Sequence, residues 1–231
     1  MTARSGRISN PDDRLNETTM RDHPAGTSYD LGGLDEVDLA PTWLEQFERW
    51  LAAAAAADIV EPNAMVLATA DGDGAPSART VLLKGVDARG FALYTNLGSR
   101  KAAEATANPR GALTFAWIAL QRQVCVTGGV ERVADSEADA YFASRPRGSQ
   151  LGAHASPQSA VVGSRAELEQ RLDEIRRRWP EGTVVPRPAH WSGLRVVPHG
   201  VEFWQGRRNR LHDRLRYRAV GDGWIVERLA P

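Results

Sequence analysis

From Ala64 onward the chain is written in short apolar, β-branched runs, each closed by a turn signal, and this rhythm restricts the possible folds most. "AMVLATA" and "ARTVLLKGV" flank "DGDG", a hairpin signal, and "DARG" leads into "FALYTN". "ALTFAWI", "RQVCVTGGVERV", "GLRVVP" and "VEFWQG" read as further strands, and "RLRYRAV" and "WIVERL" are joined by "GDG". Helical spacing interrupts them. Trp43, Leu44, Phe47, Trp50 and Leu51 recur at i, i+3, i+4 after Pro41, which suits a first helical turn. "SRKAAEATANP" reads as a helix capped by Ser99 and stopped by Pro109, and "SEADAYFASRP" as one capped by Ser136. "SRAELEQRLDEIRRRWP" carries a capping box, Ser164 and Glu167, with arginines gathered in its last turn. Strands in neighbouring hairpins with helices between them predict a mainly β fold, a barrel with peripheral helices. The strict βα alternation of a doubly wound sheet is missing.

Residues 1–36 are rich in Pro, Gly, Ser, Asp and Arg, which predicts a disordered or loose arm ahead of one domain over 37–231. Lys+Arg and Asp+Glu both number 29, so no global field attracts polyanions and a nucleic-acid partner is not expected. Nearly all the cations are arginine; lysine occurs only as Lys84 and Lys101. Cys125 is the single cysteine, so no intrachain disulfide forms, and "VCVTGGV" places it as a small buried hydrophobe. The polar N-terminus has no secretory h-region, and "LAAAAAADIV" is about half the roughly 20 residues a membrane helix needs. A soluble, cytoplasmic protein without membrane contact is expected.

The five histidines never pair at i, i+4 and no cysteine cluster joins them, so no metal site is expected. G-x-G-x-x-G, Walker A and G-x-S-x-G runs are all lacking. What remains is a set of anion-binding groups. "RTVLLK" puts Arg79, Val81 and Leu83 on one strand face and Thr80, Leu82 and Lys84 on the other. "YTN-x-x-SRK" adds hydroxyl and amide groups, then Arg100 and Lys101 in a first helical turn, where backbone N–H groups favour phosphate. Singly, each reads as a solvated charge; together they bring both lysines of the chain to one strand–turn–strand–helix unit. Tyr141, Arg145 and Ser149 form a second set, the first two sharing a face if the helix continues to Arg145. In "FWQGRRNRLHDR", Arg210 and His212 fall on one side of an extended backbone, a guanidinium and an imidazole suited to redox or acid–base chemistry. Arg214, Arg216 and Arg218 alternate with Leu215, Tyr217 and Ala219 as a strand with one charged face.

The run "RTVLLK…GFALYTNLGSRKA…NPRGALTFAW…RQVCVTGGVERV…YFASRPRGSQLGA…QS…VEFWQG…RLHDR…ERLAP" resembles the pyridoxine (pyridoxamine) 5′-phosphate oxidases over roughly residues 44–231. The resemblance implies an FMN-binding split β-barrel, a homodimer with shared active sites, and oxidation of phosphorylated B6 vitamers by O2. It implies FMN contacts from Arg79, Thr80, Val81, Leu82, Leu83, Lys84, Tyr94, Thr95, Arg100, Lys101, Gln123, Gln158, Ser159, Trp204 and Arg214. It implies substrate contacts from Lys84, Tyr141, Arg145, Ser149, Arg210, Leu211 and His212, with Arg210 and His212 flanking the pyridine ring as the catalytic pair. His154 and the "WSGL" stretch at 191–194 depart from the family pattern, which implies altered packing near the site. Tyr29 aligns with a lid tyrosine, whereas the lid arginine falls on Gly26 with Arg21 further upstream. Two rival readings are a sister flavin oxidase of the phenazine type, which does not need Tyr141, Arg145 and Ser149, and a non-catalytic FMN- or pyridoxal-phosphate-binding protein.

Overall fold

The structure is a computed structural model that describes Tyr29 and residues 31–231. Nine antiparallel strands form one curled sheet: β1 (Ala64–Ala70), β2 (Pro76–Leu82), β3 (Gly85–Asp87), β4 (Gly90–Asn96), β5 (Arg110–Trp117), β6 (Arg122–Arg132), β7 (Trp191–Gln205), β8 (Asp213–Val220) and β9 (Gly223–Arg228). The order is β2-β1-β5-β6-β7-β4-β3, with β8 and then β9 added on β7. Five helices surround it: α1 (Trp43–Ala56), α2 (Arg100–Ala107), α3 (Asp135–Ser144), α4 (Arg147–Ala155) and α5 (Arg165–Arg178). The mainly β barrel with peripheral helices is what the strand rhythm demands.

β7 organises the sheet. "GLRVVP" and "VEFWQG" were expected as two strands, but the chain runs through Pro198 as one strand of 15 residues. Pro198 is tolerated because the β6 ladder shifts register there, between Thr127 and Gly128, where no donor is required of it. Gly128 is needed at this bulge, since a Cβ would strike the Val197 carbonyl. Before the bulge β7 pairs with β4; beyond it β7 pairs with β8. One irregularity therefore splits the sheet into two wings.

Helix α1 plugs the curl. Phe47 is fully buried with its ring 4.9 Å from both Phe91 and Phe115, and Trp50 meets Phe203 edge-on at 5.2 Å. Truncating Phe47 to alanine in such a site costs about 3–5 kcal/mol. The helix starts later than expected: the Thr42 hydroxyl accepts from the Glu45 N–H, so Pro41 precedes the cap.

Other local expectations are corrected. Ser136 does not cap α3, because the helix begins at Asp135 and Ala134 holds the cap position without a side-chain bond. Arg145 leaves that helix in extended geometry, since the residue before Pro146 is pushed out of the α region. α4 was not anticipated in "RPRGSQLGAHA". The expected strand "ARTVLLKGV" breaks at Leu83–Lys84 into β2 and β3. Order also begins before residue 37: Leu34 is buried in the main core, its N–H donating to Asp213, and Arg228 grips Asp35 and Glu36. The remainder of the expected arm, with Arg21 and Gly26, lies outside the described residues.

Candidate active site

A cavity of about 290 Å³ opens between β2, β4, the start of α2 and the end of α3. It is lined by Arg79, Thr80, Val81, Leu82, Lys84, Tyr94, Thr95, Lys101, Tyr141, Arg145, Gln158 and Trp191. Both faces of "RTVLLK" contribute, Arg79 through Leu82 from the end of the β1 ladder and Lys84 from beyond it. Leu83 does not line it; it is buried in the core, its N–H donating to Asn63. Despite the break in α3, Tyr141 and Arg145 reach the same wall.

The lining holds four cations and no carboxylate. Arg79 is balanced from behind by buried Glu104, at 3.2 Å. Burial alone would raise the Glu104 carboxyl, but hydrogen bonds from Ser77, Thr69, Arg100 and Arg79 outweigh it and carry its pKa down to about 2. Lys101 is placed differently. Its ammonium donates only to neutral oxygens: Thr95 Oγ1 and Gln158 Oε1, both at 3.1 Å, and Ser99 Oγ at 3.4 Å. Burial, then repulsion from Arg79, lowers its pKa. Arg145 Nη1 is buried without a partner, and burial lowers this guanidinium's pKa too. Burying cations without counter-charge is costly, and the geometry makes sense if an anion completes the set. This fits a phosphorylated ligand such as FMN.

Ser99 stands at the α2 cap position, but its hydroxyl makes no capping bond and faces Thr95 and Lys101. The Arg100 N–H is instead received by Ser159 Oγ at 3.1 Å, from a left-handed residue with φ 73°. Arg100's own side chain is mostly exposed and bonds Glu104 at 2.7 Å.

The remaining expected residues lie elsewhere. Trp204 has the His212 ring centroid at 4.6 Å, and Tyr29 stands edge-on to both, at 6.0 and 5.4 Å. Gly206 makes room for Tyr29; a Cβ there would strike its ring. Arg210 and His212 are not carried by extended backbone, because Asn209 and Arg210 turn left-handed at φ 58° and 61°. The Arg207 N–H donates to His212 Nδ1 at 3.0 Å, so a neutral His212 carries its proton on Nε2. Leu211 is exposed and lines a second hollow of about 390 Å³ with Tyr29, Gly32, Arg207 and Arg208. Arg214 is held by Glu202 at 2.7 Å, and Gln123 donates to Cys125 Sγ at 3.1 Å. Ser149 is exposed on α4 and does not line the cavity. His154 packs against Trp179 at 4.2 Å and bonds the Pro186 carbonyl, away from both clusters. Trp191 was not among the expected contacts; its place beside "WSGL" gave no chemical signal.

The curled antiparallel sheet and its peripheral helices are those of the split barrel of FMN-binding proteins. Residues 51–179 match the pyridoxamine 5′-phosphate oxidase family, and 191–231 match the pyridoxine 5′-phosphate oxidase C-terminal dimerisation region. The chain is similar to the pyridoxine/pyridoxamine 5′-phosphate oxidase of Frankia alni, at 59% identity over 90% of this chain and 89% of the relative. It is equally similar to that of Rubrobacter xylanophilus, at 59% identity over 88% and 93%. Among solved structures, PhzG from Burkholderia lata 383 in complex with tetrahydrophenazine-1-carboxylic acid superimposes with a TM-score of 0.82, at 32% identity over 89% of this chain and all of that one. The chain belongs to the pyridoxine/pyridoxamine 5′-phosphate oxidase family, whose cofactor is FMN. Among the described residues no helix is long and apolar enough to cross a membrane.

Proposed function

We propose that this protein oxidises pyridoxine 5′-phosphate, pyridoxamine 5′-phosphate or both to pyridoxal 5′-phosphate, with O2 as acceptor and H2O2 as product; the amine substrate also consumes water and releases ammonia. The observation that carries this is the 290 Å³ cavity, four cations without a carboxylate on its wall. Within it, Arg79 through Leu82, Lys84, Thr95, Lys101 and Gln158 hold the FMN phosphate and ribityl chain, with Tyr94 beside them and the Arg100 main chain and Ser159 at the helix start. Lys84, Tyr141 and Arg145 meet the substrate phosphate. FMN, when bound, would supply two-electron redox chemistry at the substrate's C4′ carbon. Arg210 and His212, with Nε2 as its donor, would orient the pyridine ring beside the reacting carbon.

Gln123, Trp204, Arg210, His212 and Arg214 complete the site from a second copy of the chain. The course of β7 supports this division. Trp191 lines the cavity at one end of the strand and Trp204 stands near the other, thirteen residues on, so about 40 Å of strand separates them. One subunit cannot easily fold both ends of that rod around a single small ligand, whereas a two-fold dimer brings one end of each together. The match of 191–231 to a dimerisation region agrees.

The test is anaerobic addition of pyridoxine 5′-phosphate, then pyridoxamine 5′-phosphate, to FMN-loaded protein. Bleaching of the flavin absorbance by either is expected; a flavin left oxidised by both refutes the reading. The presence of Tyr141 and Arg145 in the cavity favours it over a phenazine-type substrate without phosphate.

A further inference from the structure

Trp191 forms the floor on which the anion-binding side chains rest. Its indole is 5% exposed and nearly parallel to two tyrosine rings: Tyr94 at 5.4 Å and 8°, and Tyr141 at 6.1 Å and 5°. Those tyrosines stack on each other at 3.9 Å and 13°. The Arg145 guanidinium lies over the indole with its carbon 4.7 Å from the ring centroid. Phe142 meets the indole edge-on at 5.0 Å. One ring thus touches a group on the flavin side of the cavity and both groups of α3 and its exit that face the substrate phosphate.

The ring is held from its backbone. Trp191 pairs with Asn96 at the end of the β4 ladder, its N–H donates to the Pro188 carbonyl at 2.9 Å, and its carbonyl accepts from Arg187 Nη1 at 2.7 Å. Arg187 also binds Asp135 and Asp139 of α3, so strand and helix share a fastening. Arg145 has no such fastening of its own; besides the indole, only the Phe142 ring among the described residues lies under its guanidinium, further off at 5.6 Å. It stands in extended backbone after α3 ends, Nη1 is buried without a hydrogen-bond partner, and no ion pair to it is seen among the described residues. A long side chain so placed has many rotamers, and a π face beneath it selects one.

We infer that Trp191 is a positioning residue for the substrate-phosphate site, its indole face holding the Arg145 guanidinium and the Tyr141 ring in the orientation that receives a phosphate monoester. The inference rests on the proposed function, because it takes the anion at Arg145 to be the substrate's. Trp191 acts through Arg145 and not on the reacting carbon, so its loss is a binding defect.

The experiment uses FMN-loaded enzyme, KM and kcat for pyridoxine 5′-phosphate, and inorganic phosphate as a competitive inhibitor. Trp191→Leu keeps apolar bulk but removes the π face. It is expected to raise KM and the phosphate inhibition constant together by about tenfold, with kcat and FMN content within about twofold. Trp191→Phe, which keeps a ring, is expected to recover most of the loss. In an Arg145→Ala background, Trp191→Leu is expected to add less than about twofold, since the group it positions is gone. Full additivity in that cycle overturns the inference, as does a loss confined to kcat or a Phe variant no better than Leu. If Trp191→Leu does not accumulate as folded holoenzyme, Trp191→Phe goes through the same cycle: an effect that vanishes beside Arg145→Ala supports the inference and one that persists overturns it. An unchanged KM in Arg145→Ala alone refutes the underlying phosphate site, an outcome distinct from failure of the Trp191 cycle.

Discussion

The cavity beneath β2 and β4 and the arginine-rich turn after β7 are both cationic, and they differ in how the charge is met. At the turn and on the strands that follow it, Arg207 faces Asp213, Arg214 of β8 is held by Glu202, and Arg228 of β9 binds Asp213, Asp35 and Glu36. In the cavity, Lys101 donates only to neutral oxygens and Arg145 keeps a buried nitrogen without a partner. Local density of arginine is therefore a poor guide to anion binding. Cations that burial strands without a carboxylate are a better one.

The comparison breaks or sharpens in five measurements. The largest effect is expected from Arg210→Ala, with kcat/KM down about 10²–10³-fold at near-normal FMN content, since it removes a group beside the reacting ring. Mixing Arg210→Ala chains with Arg145→Ala chains, assayed at substrate far below the KM of the latter so that each alone is nearly silent, then tests whether the two regions meet across a dimer. Random pairing restores about a quarter of wild-type activity if sites are shared and none if each chain is self-sufficient.

Next comes Lys101→Ala, expected to weaken FMN binding by about 10–100-fold through loss of a charge-assisted bond, read by flavin fluorescence on release. Equal loss of flavin in Arg210→Ala would mean that the two regions are not divided as described.

Glu104→Gln is expected to cost about 3 kcal/mol of stability, by denaturant titration, since it leaves Arg79 partly uncompensated. The acid side carries a further sign. A carboxyl whose folded pKa lies near 2, below its ordinary 4.5, contributes stability that is complete above about pH 5 and fades as pH falls toward 2. The Gln variant should therefore lose less stability than the wild type over that acid range.

The smallest effect is expected from Arg100→Ala, under about threefold on FMN affinity. Its main-chain N–H is retained, and its guanidinium is occupied with Glu104.

Much of this was legible in the chain. The hairpin signals "DGDG" and "GDG" mark real reversals, β1 to β2 and β8 to β9, because two-stranded pairing is set by local turn chemistry. The Ser164 cap accepts from Glu167 as its spacing implies. The grouping of Arg79 to Leu82 and Lys84 with Tyr94, Thr95 and Lys101 on one cavity wall also followed from strand and helix ends, whereas Leu83 of the same run is buried in the core. What failed was decided at long range. Pro198 argued for a strand break, yet β6 absorbed it with a bulge. Ser99 had the spacing of a cap, but Ser159, sixty residues on, took that role. Trp191 gave no sign because its importance lies in three rings from separate elements, and no local pattern records such a convergence.

The clasp between Leu34–Glu36 and Arg228 has a further consequence. The turn at Leu34–Glu36 and the last strand are one mechanical unit, and upstream of it Tyr29 stands edge-on to Trp204 and His212. A pull on the C-terminal end, or removal of β9, would loosen both the seat of Leu34 and the roof that Tyr29 provides. A defect introduced at the tail should therefore be felt first in the packing of Tyr29 on Trp204 and His212, before the barrel itself yields.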